Sequence, residues 1–203
     1  MKTTYKHMSN LMLVANFLAN LFYAASYPYI YQQTVSVVPK SYISMEQLLP
    51  CLWMIIICKA WNTFSDKLFR FYRIILYLEI ICDAILFIHV IVTNDLKFYF
   101  MLNIIIYSVV TRNLSCGGTK MRAIVNPTDK ERERFDNNSN IIASASTVLG
   151  ASIAAIIPMP MRTLFILAFI GNIVDNLFYL KIYSILQAQR RKRNGSIKQS
   201  VQR

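Results

Sequence analysis

The sequence predicts an all-α, polytopic membrane protein, a bundle of six transmembrane helices with both ends on the cytoplasmic side. Three observations carry this. Of 203 residues, 55% are apolar and only 16% are charged, more apolar chain than one soluble core of this size needs. Six stretches approach the roughly 20 apolar residues of a spanning helix. The bases are sorted onto alternate connections.

The spans fall at about 9–31, 44–61, 73–92, 96–115, 140–157 and 163–186. The first comes after a short basic terminus, 1–8, and is too long for the apolar part of a cleaved leader. Its outer end, "FYAASYPYIYQQ", suits an interfacial aromatic belt or a surface on which a substrate stacks, and Pro28 is placed to bend it. Ser44 to Gln47 reads as a capping box opening the second span. The fifth stops before Pro158 and Pro160, which cannot continue a helix. Segments on one side of this layout hold 2, 4, 6 and 7 Lys/Arg and those on the other hold Lys40, Lys97 and Arg162, or 19 against 3. The cell membrane, crossed several times, is therefore the expected location, with the bilayer as first partner.

The net charge of +12 does not imply nucleic acid, because the bases are spread over helix ends rather than gathered in one domain. The tail, 187–203, reads as an unstructured basic segment beside anionic lipid. Asn113, Asn137 and Asn194 begin N-x-S/T sequons on the expected cytoplasmic side, so none should carry a glycan. Cys51, Cys58, Cys82 and Cys116 lack metal-ligand or C-x-x-C spacing and read as buried small apolar residues. No metal or cofactor is expected. Nor is an enzyme, since H-E-x-x-H and G-x-S-x-G are absent from the sequence.

Polar groups within the spans carry the candidate chemistry, because a charge at mid-bilayer costs about 2.5–3.5 kcal/mol on insertion scales and needs a partner or a wet face. Glu79 and Asp83 lie four apart on one face of the third span. Asn103 lies in the fourth, and Asn172, Asp175 and Asn176 cluster in the sixth. Together they form a candidate polar cavity for substrate or protons; the simpler reading is interhelical bonding, with Lys59 or Arg112 as partners. Asn16 and Asn20 make a further pair in the first span. In the fifth, Ala143, Thr147, Gly150, Ala151 and Ala154 form small-x-x-x-small patterns that let a neighbouring backbone approach.

Between the second and third spans runs "WNTFSDKLFRFYR". Asn62 to Phe71 of this stretch resembles, in register, the G-x-L-[SA]-D-R-x-G-R-[RK] signature of the major facilitator superfamily. Ser65, Asp66, Lys67 and Arg70 match its polar positions, whereas Asn62 and Phe69 stand in place of its glycines. Glu131 to Ile157 is similar to the entry of the fifth helix in drug and macrolide efflux-type members, with Asn138, Ser139 and Gly150 at the matching positions. The resemblance implies half of a facilitator fold, with Ser65, Asp66, Lys67 and Arg70 as a candidate gating loop and Asp66 as its latch. Members normally have two six-helix halves, so it further implies a homodimer or a second six-helix subunit, and a small-molecule substrate moved without nucleotide. Two other classes remain open: a non-transporting accessory or immunity protein or a transporter remnant, and a six-helix substrate-capture subunit of an importer.

Overall fold

The computed structural model describes residues 2–201, and their side chains except at 2, 47 and 192–201. It is 94% helical, with no strand among the described residues. The helices are α1 (Lys2–Val37), α2 (Lys40–Arg70), α3 (Tyr72–Thr93), α4 (Leu96–Ile106), α5 (Arg112–Val125), α6 (Asp129–Ile156) and α7 (Met161–Val201). A π-helical turn, Tyr107–Thr111, joins α4 to α5.

Five helices are long and apolar enough to cross a membrane: Thr3–Val37, Lys40–Arg70, Tyr72–Thr93, Asp129–Ile156 and Met161–Arg191. This fits an all-α membrane protein, but it is one fewer than the six spans expected. The difference lies at 96–115, where the chain is divided into α4 of 11 residues, a π turn of 5 and α5 of 14. A π turn adds a residue to the helical repeat and rotates the helix beyond it. Here it carries Thr111 toward the bundle interior, and no single helix in the stretch reaches spanning length.

Local chemistry sets the ends. Asn94, at φ 58° in the left-handed region that Asn tolerates, terminates α3, and the side chain of Asp95 then caps α4 by accepting from the backbone N–H of Phe98 at 3.0 Å. A full capping box opens α6: Thr128 accepts from the Glu131 backbone and the Glu131 carboxylate reaches back to Thr128. The box expected at Ser44 does not begin α2. That helix starts at Lys40 after Pro39, whose fixed φ of −62° sets its entry, and the Ser44 hydroxyl donates back to the Lys40 carbonyl; the Gln47 side chain lies outside the described residues. Likewise α1 runs through Pro28 as one helix. Beyond Leu186, in place of the expected unstructured tail, α7 continues as helix to Val201.

Among the described residues, two large apolar clusters hold the bundle, one at each end, with a small third one of Val38, Phe100 and Ile104. At the first, Met8 and Met12 of α1 meet Trp61, Phe69, Tyr72 and Tyr183. At the other, Ile30 meets Leu86, Phe87, Tyr99 and Phe165. Because α1 begins and α7 approaches Leu186 in the same cluster, both terminal helices end at one end of the bundle, here called the terminal end. Outward faces remain apolar and uncovered, as at Ile55, Ile81, Ile85 and Val92. Such surface is stable only against hydrocarbon or another apolar face. The cysteines are less buried than expected, with Cys51 exposed on α2 and the other three half-buried.

Candidate functional site

Between the two apolar clusters lies a polar layer, and it lines two cavities stacked along the bundle axis. The cavity toward the terminal end, about 350 Å3, lies among α1, α3, α5, α6 and α7 and contains Asn16, Arg122, Ser139, Asp175, Asn176 and Tyr179 in its wall. The one toward the far end, about 470 Å3, is walled by tyrosines together with Glu46, Asp83 and Asn103. Ala19, Glu79, Thr111 and Asn172 line both. These four residues therefore form a waist.

Helical periodicity explains who reaches the waist. Leu76, Glu79 and Asp83 occupy one face of α3, so the same stripe that buries Leu86 carries both carboxylates inward. Glu79 is 6% and Asp83 4% exposed. The Thr111 hydroxyl, brought inward by the π turn, donates to one oxygen of Glu79 at 2.7 Å. Asp83 faces the Asn172 amide. The second oxygen of each, Oε2 of Glu79 and Oδ2 of Asp83, has no hydrogen-bond partner among the described residues. Buried polar atoms are ordinarily paired, so two orphans side by side are unusual.

The bases considered as partners sit elsewhere. Lys59 is exposed on α2. Arg112 turns onto Tyr107, 4.5 Å above its ring and 3.1 Å from its hydroxyl. Among the described residues, no Lys or Arg makes an ion pair with Glu79, Asp83 or Asp175. Asn103 is half-buried in the far cavity, and Asn172, Asp175 and Asn176 all line the terminal one. Asn16 donates from its amide to the Ser139 carbonyl (3.1 Å) and hydroxyl (2.8 Å), tying α1 to α6, while Asn20 donates back to the Asn16 carbonyl.

Ser65, Asp66, Lys67 and Arg70 do not form a loop. They occupy the last turns of α2, beyond a local break at Phe64 (φ −119°, ψ 24°), and the connection to α3 is Phe71 alone. Lys120 of α5 reaches them, its ammonium 2.7 Å from Asp66 and 2.7 Å from the Ser65 hydroxyl. The base that holds Asp66 is thus supplied by this chain, whereas the resemblance implies a second subunit to complete the latch. Lys67 and Arg70 take no part in that pair; the Lys67 ammonium lies 5.9 Å over the Phe64 ring.

On α6, Gly150 is buried against the Leu21 carbonyl and Ala24 of α1, and Ala143 and Ala154 are half-buried. Thr147 and Ala151 face outward, and Ser146, not singled out in the sequence, is fully buried instead. Thr111, Lys120 and Arg122 join the site without a signal of their own in the sequence, and Ser139 stands out there only through the resemblance. Their partners lie far away along the chain, 32 residues for Thr111 with Glu79 and 54 for Lys120 with Asp66.

The fold and this cleft define a class, an α-helical membrane protein with an acidic, amide-lined polar layer holding two adjoining cavities. Compared with protein-family models, with curated proteins and with solved structures, the chain matches none.

Proposed function

We propose that the protein is a small secondary transporter, a six-span bundle with both termini in the cytoplasm, moving a small solute along the axial cleft. In this reading α4, the π turn and α5 cross the membrane together as the fourth span. The supporting observation is the pair of cavities sharing a waist at Glu79, Thr111 and Asn172, with the buried carboxylates unpaired to any base. Ionisable groups kept in a membrane interior at such cost ordinarily serve a solute or proton path. The carboxylates Glu79, Asp83 and Asp175 are the candidate proton or substrate groups, Asn103, Asn172 and Asn176 the orienting amides, and Thr111 the fixed donor that holds Glu79. The facilitator resemblance around Asp66 adds to the reading, with the Lys120 tie as a clasp between α2 and α5 at the cytoplasmic end. A second copy, or a separate six-helix chain, would pack on α2 and α6, whose flanks are the least covered in the bundle.

The test is flux. Purified protein in vesicles holding a pH-sensitive dye is challenged with gradients of organic cations, amino acids and sugars. Solute-dependent proton movement that is lost in Asp83→Asn and Asp175→Asn supports the reading. No flux for any solute class, from protein that cross-linking finds monomeric, overturns it in favour of a non-transporting accessory role. Normal flux in both variants removes the two aspartates from the path.

A further inference from the structure

We infer that the far cavity is a binding site for an organic cation, held by Asp83 and Glu79 within a wall of tyrosines. The inference rests on the reading that the cleft receives a solute and adds the chemical class of that solute.

The wall is one-sided in charge. Three carboxylates line it, Glu46, Glu79 and Asp83, and no Lys, Arg or His does. This is unexpected in a chain that carries 22 Lys and Arg. Arg112, next to Thr111 in the chain, lies over the Tyr107 ring and donates to the Tyr107 hydroxyl rather than to a carboxylate. A fixed anion in a low-dielectric interior is costly unless a counter-charge shares the site. Here the described residues supply none, and two carboxylate oxygens, on side chains more than nine-tenths buried, are left without a donor among them. An anionic solute would add repulsion, and a neutral one would bring no counter-charge. A cation supplies that charge, and a protonated amine supplies the missing donor as well.

The remaining wall fits the apolar part of such a ligand. Tyr23, Tyr27 and Tyr31 recur every four residues along α1, stacked at 4.5 and 5.9 Å between ring centres, and Tyr99 and Tyr107 face them from α4 and the π turn. Aromatic rings attract quaternary ammonium groups within about 6 Å, most strongly when water is excluded. Arg112 over Tyr107 is that geometry already realised at the cavity's edge. Tyr27 also donates to Glu46 at 3.4 Å, which links the ladder to the outermost acid. A volume of about 470 Å3 is ample for a small aromatic amine or alkylated ammonium. The terminal cavity differs, because a base, Arg122, stands in its wall along with Asp175. Selectivity for a cation therefore belongs to the far cavity alone.

The experiment is equilibrium binding to the full chain in detergent, with benzyltrimethylammonium as probe and its uncharged isostere neopentylbenzene as reference. Saturable binding of the cation, at least tenfold tighter than the isostere, is the expected result. Asp83→Asn and Tyr27→Leu should each weaken it tenfold or more, whereas Tyr29→Leu, on the same helix but outside the cavity wall, should leave it unchanged. Thermal unfolding confirms that each variant is folded, and Tyr27→Leu keeps the test decisive if Asp83→Asn is not. Equal affinity for cation and isostere, or unchanged affinity in both cavity variants, overturns the assignment. Binding without flux retains the cation site and removes the transport reading. Flux of another solute without cation binding does the reverse.

Discussion

At the scale of single residues, the knot of aromatic side chains at the terminal end turns on Tyr183. Its hydroxyl lies 3.0 Å from the carbonyls of both Phe69 and Arg70, which belong to the last turn of α2, where the helix no longer supplies its full set of donors. The ring packs edge-on against Phe69 at 5.4 Å, and Tyr72 stacks on Phe69 from the other helix at 5.7 Å. One side chain of α7 thus caps α2 at the point where the chain turns into α3. Removing that hydroxyl in Tyr183→Phe takes a donor from both carbonyls, the Phe69 one buried, and should destabilise by about 1 kcal/mol or more, read as a lowered thermal midpoint in detergent. Tyr72→Phe should cost less, because the Leu114 carbonyl that its hydroxyl meets at 3.2 Å lies within a helix that already supplies a donor. If Tyr183→Phe melts with the wild type, the cap is dispensable. The Lys120–Asp66 tie makes a useful contrast: Asp66 is 88% exposed, so water screens the pair and it contributes orientation more than stability. Glu79 and Asp83 were legible in the sequence because a carboxylate in an apolar span is costly on its face. Lys120 and Thr111 were not, because only folding brings them to those acids.

Helices meet at two kinds of surface here, and α6 illustrates the closer one. It lies along α1 through Ser139, Ala143, Ser146 and Gly150, at steps of four, three and four, which keeps small side chains on one stripe. At Gly150 the backbones approach so closely that a Cβ would meet the Leu21 carbonyl, with Ala24 and Ala25 each at 3.0 Å. No flexible side chain is there to give way. Gly150→Leu should therefore push α6 off α1 and destabilise by about 1–3 kcal/mol or more, while Ala151→Leu, one residue on but outward-facing, should be neutral. Cysteines placed across the α1–α6 seam report this directly: cross-linking that survives Gly150→Leu would argue against the close approach. The sequence revealed that this helix was made for close packing. It did not reveal which of two adjacent small-residue faces turns inward, because Thr147 and Ala151 repeat at the same four-residue spacing as Ser146 and Gly150. The polar anchor at Asn16 and Ser139 selects the face. The π turn at Tyr107–Thr111 was equally hidden, since nothing in "YSVVT" distinguishes it from ordinary helix.

On the scale of the whole molecule, the polar layer sits between two apolar clusters, with a cavity above and below the waist at Glu79. In the proposed orientation, which rests on the sorting of bases 19 against 3 along the sequence and on the positive-inside rule, the terminal end faces the cytoplasm. Together these define what each face of the membrane should reach. In a background with the four native cysteines replaced, single cysteines at Lys97 and Lys130 report sidedness, and at Asn103 and Ser139 they report the two cavities. With a membrane-impermeant maleimide, Lys97→Cys and Asn103→Cys should label only from outside, and Lys130→Cys and Ser139→Cys only from inside. Labelling of both Asn103→Cys and Ser139→Cys from a single face would make the cleft one vestibule and exclude an alternating path. Reversal of all four would turn the bundle over, placing the tyrosine-walled cavity and its three carboxylates toward the cytoplasm.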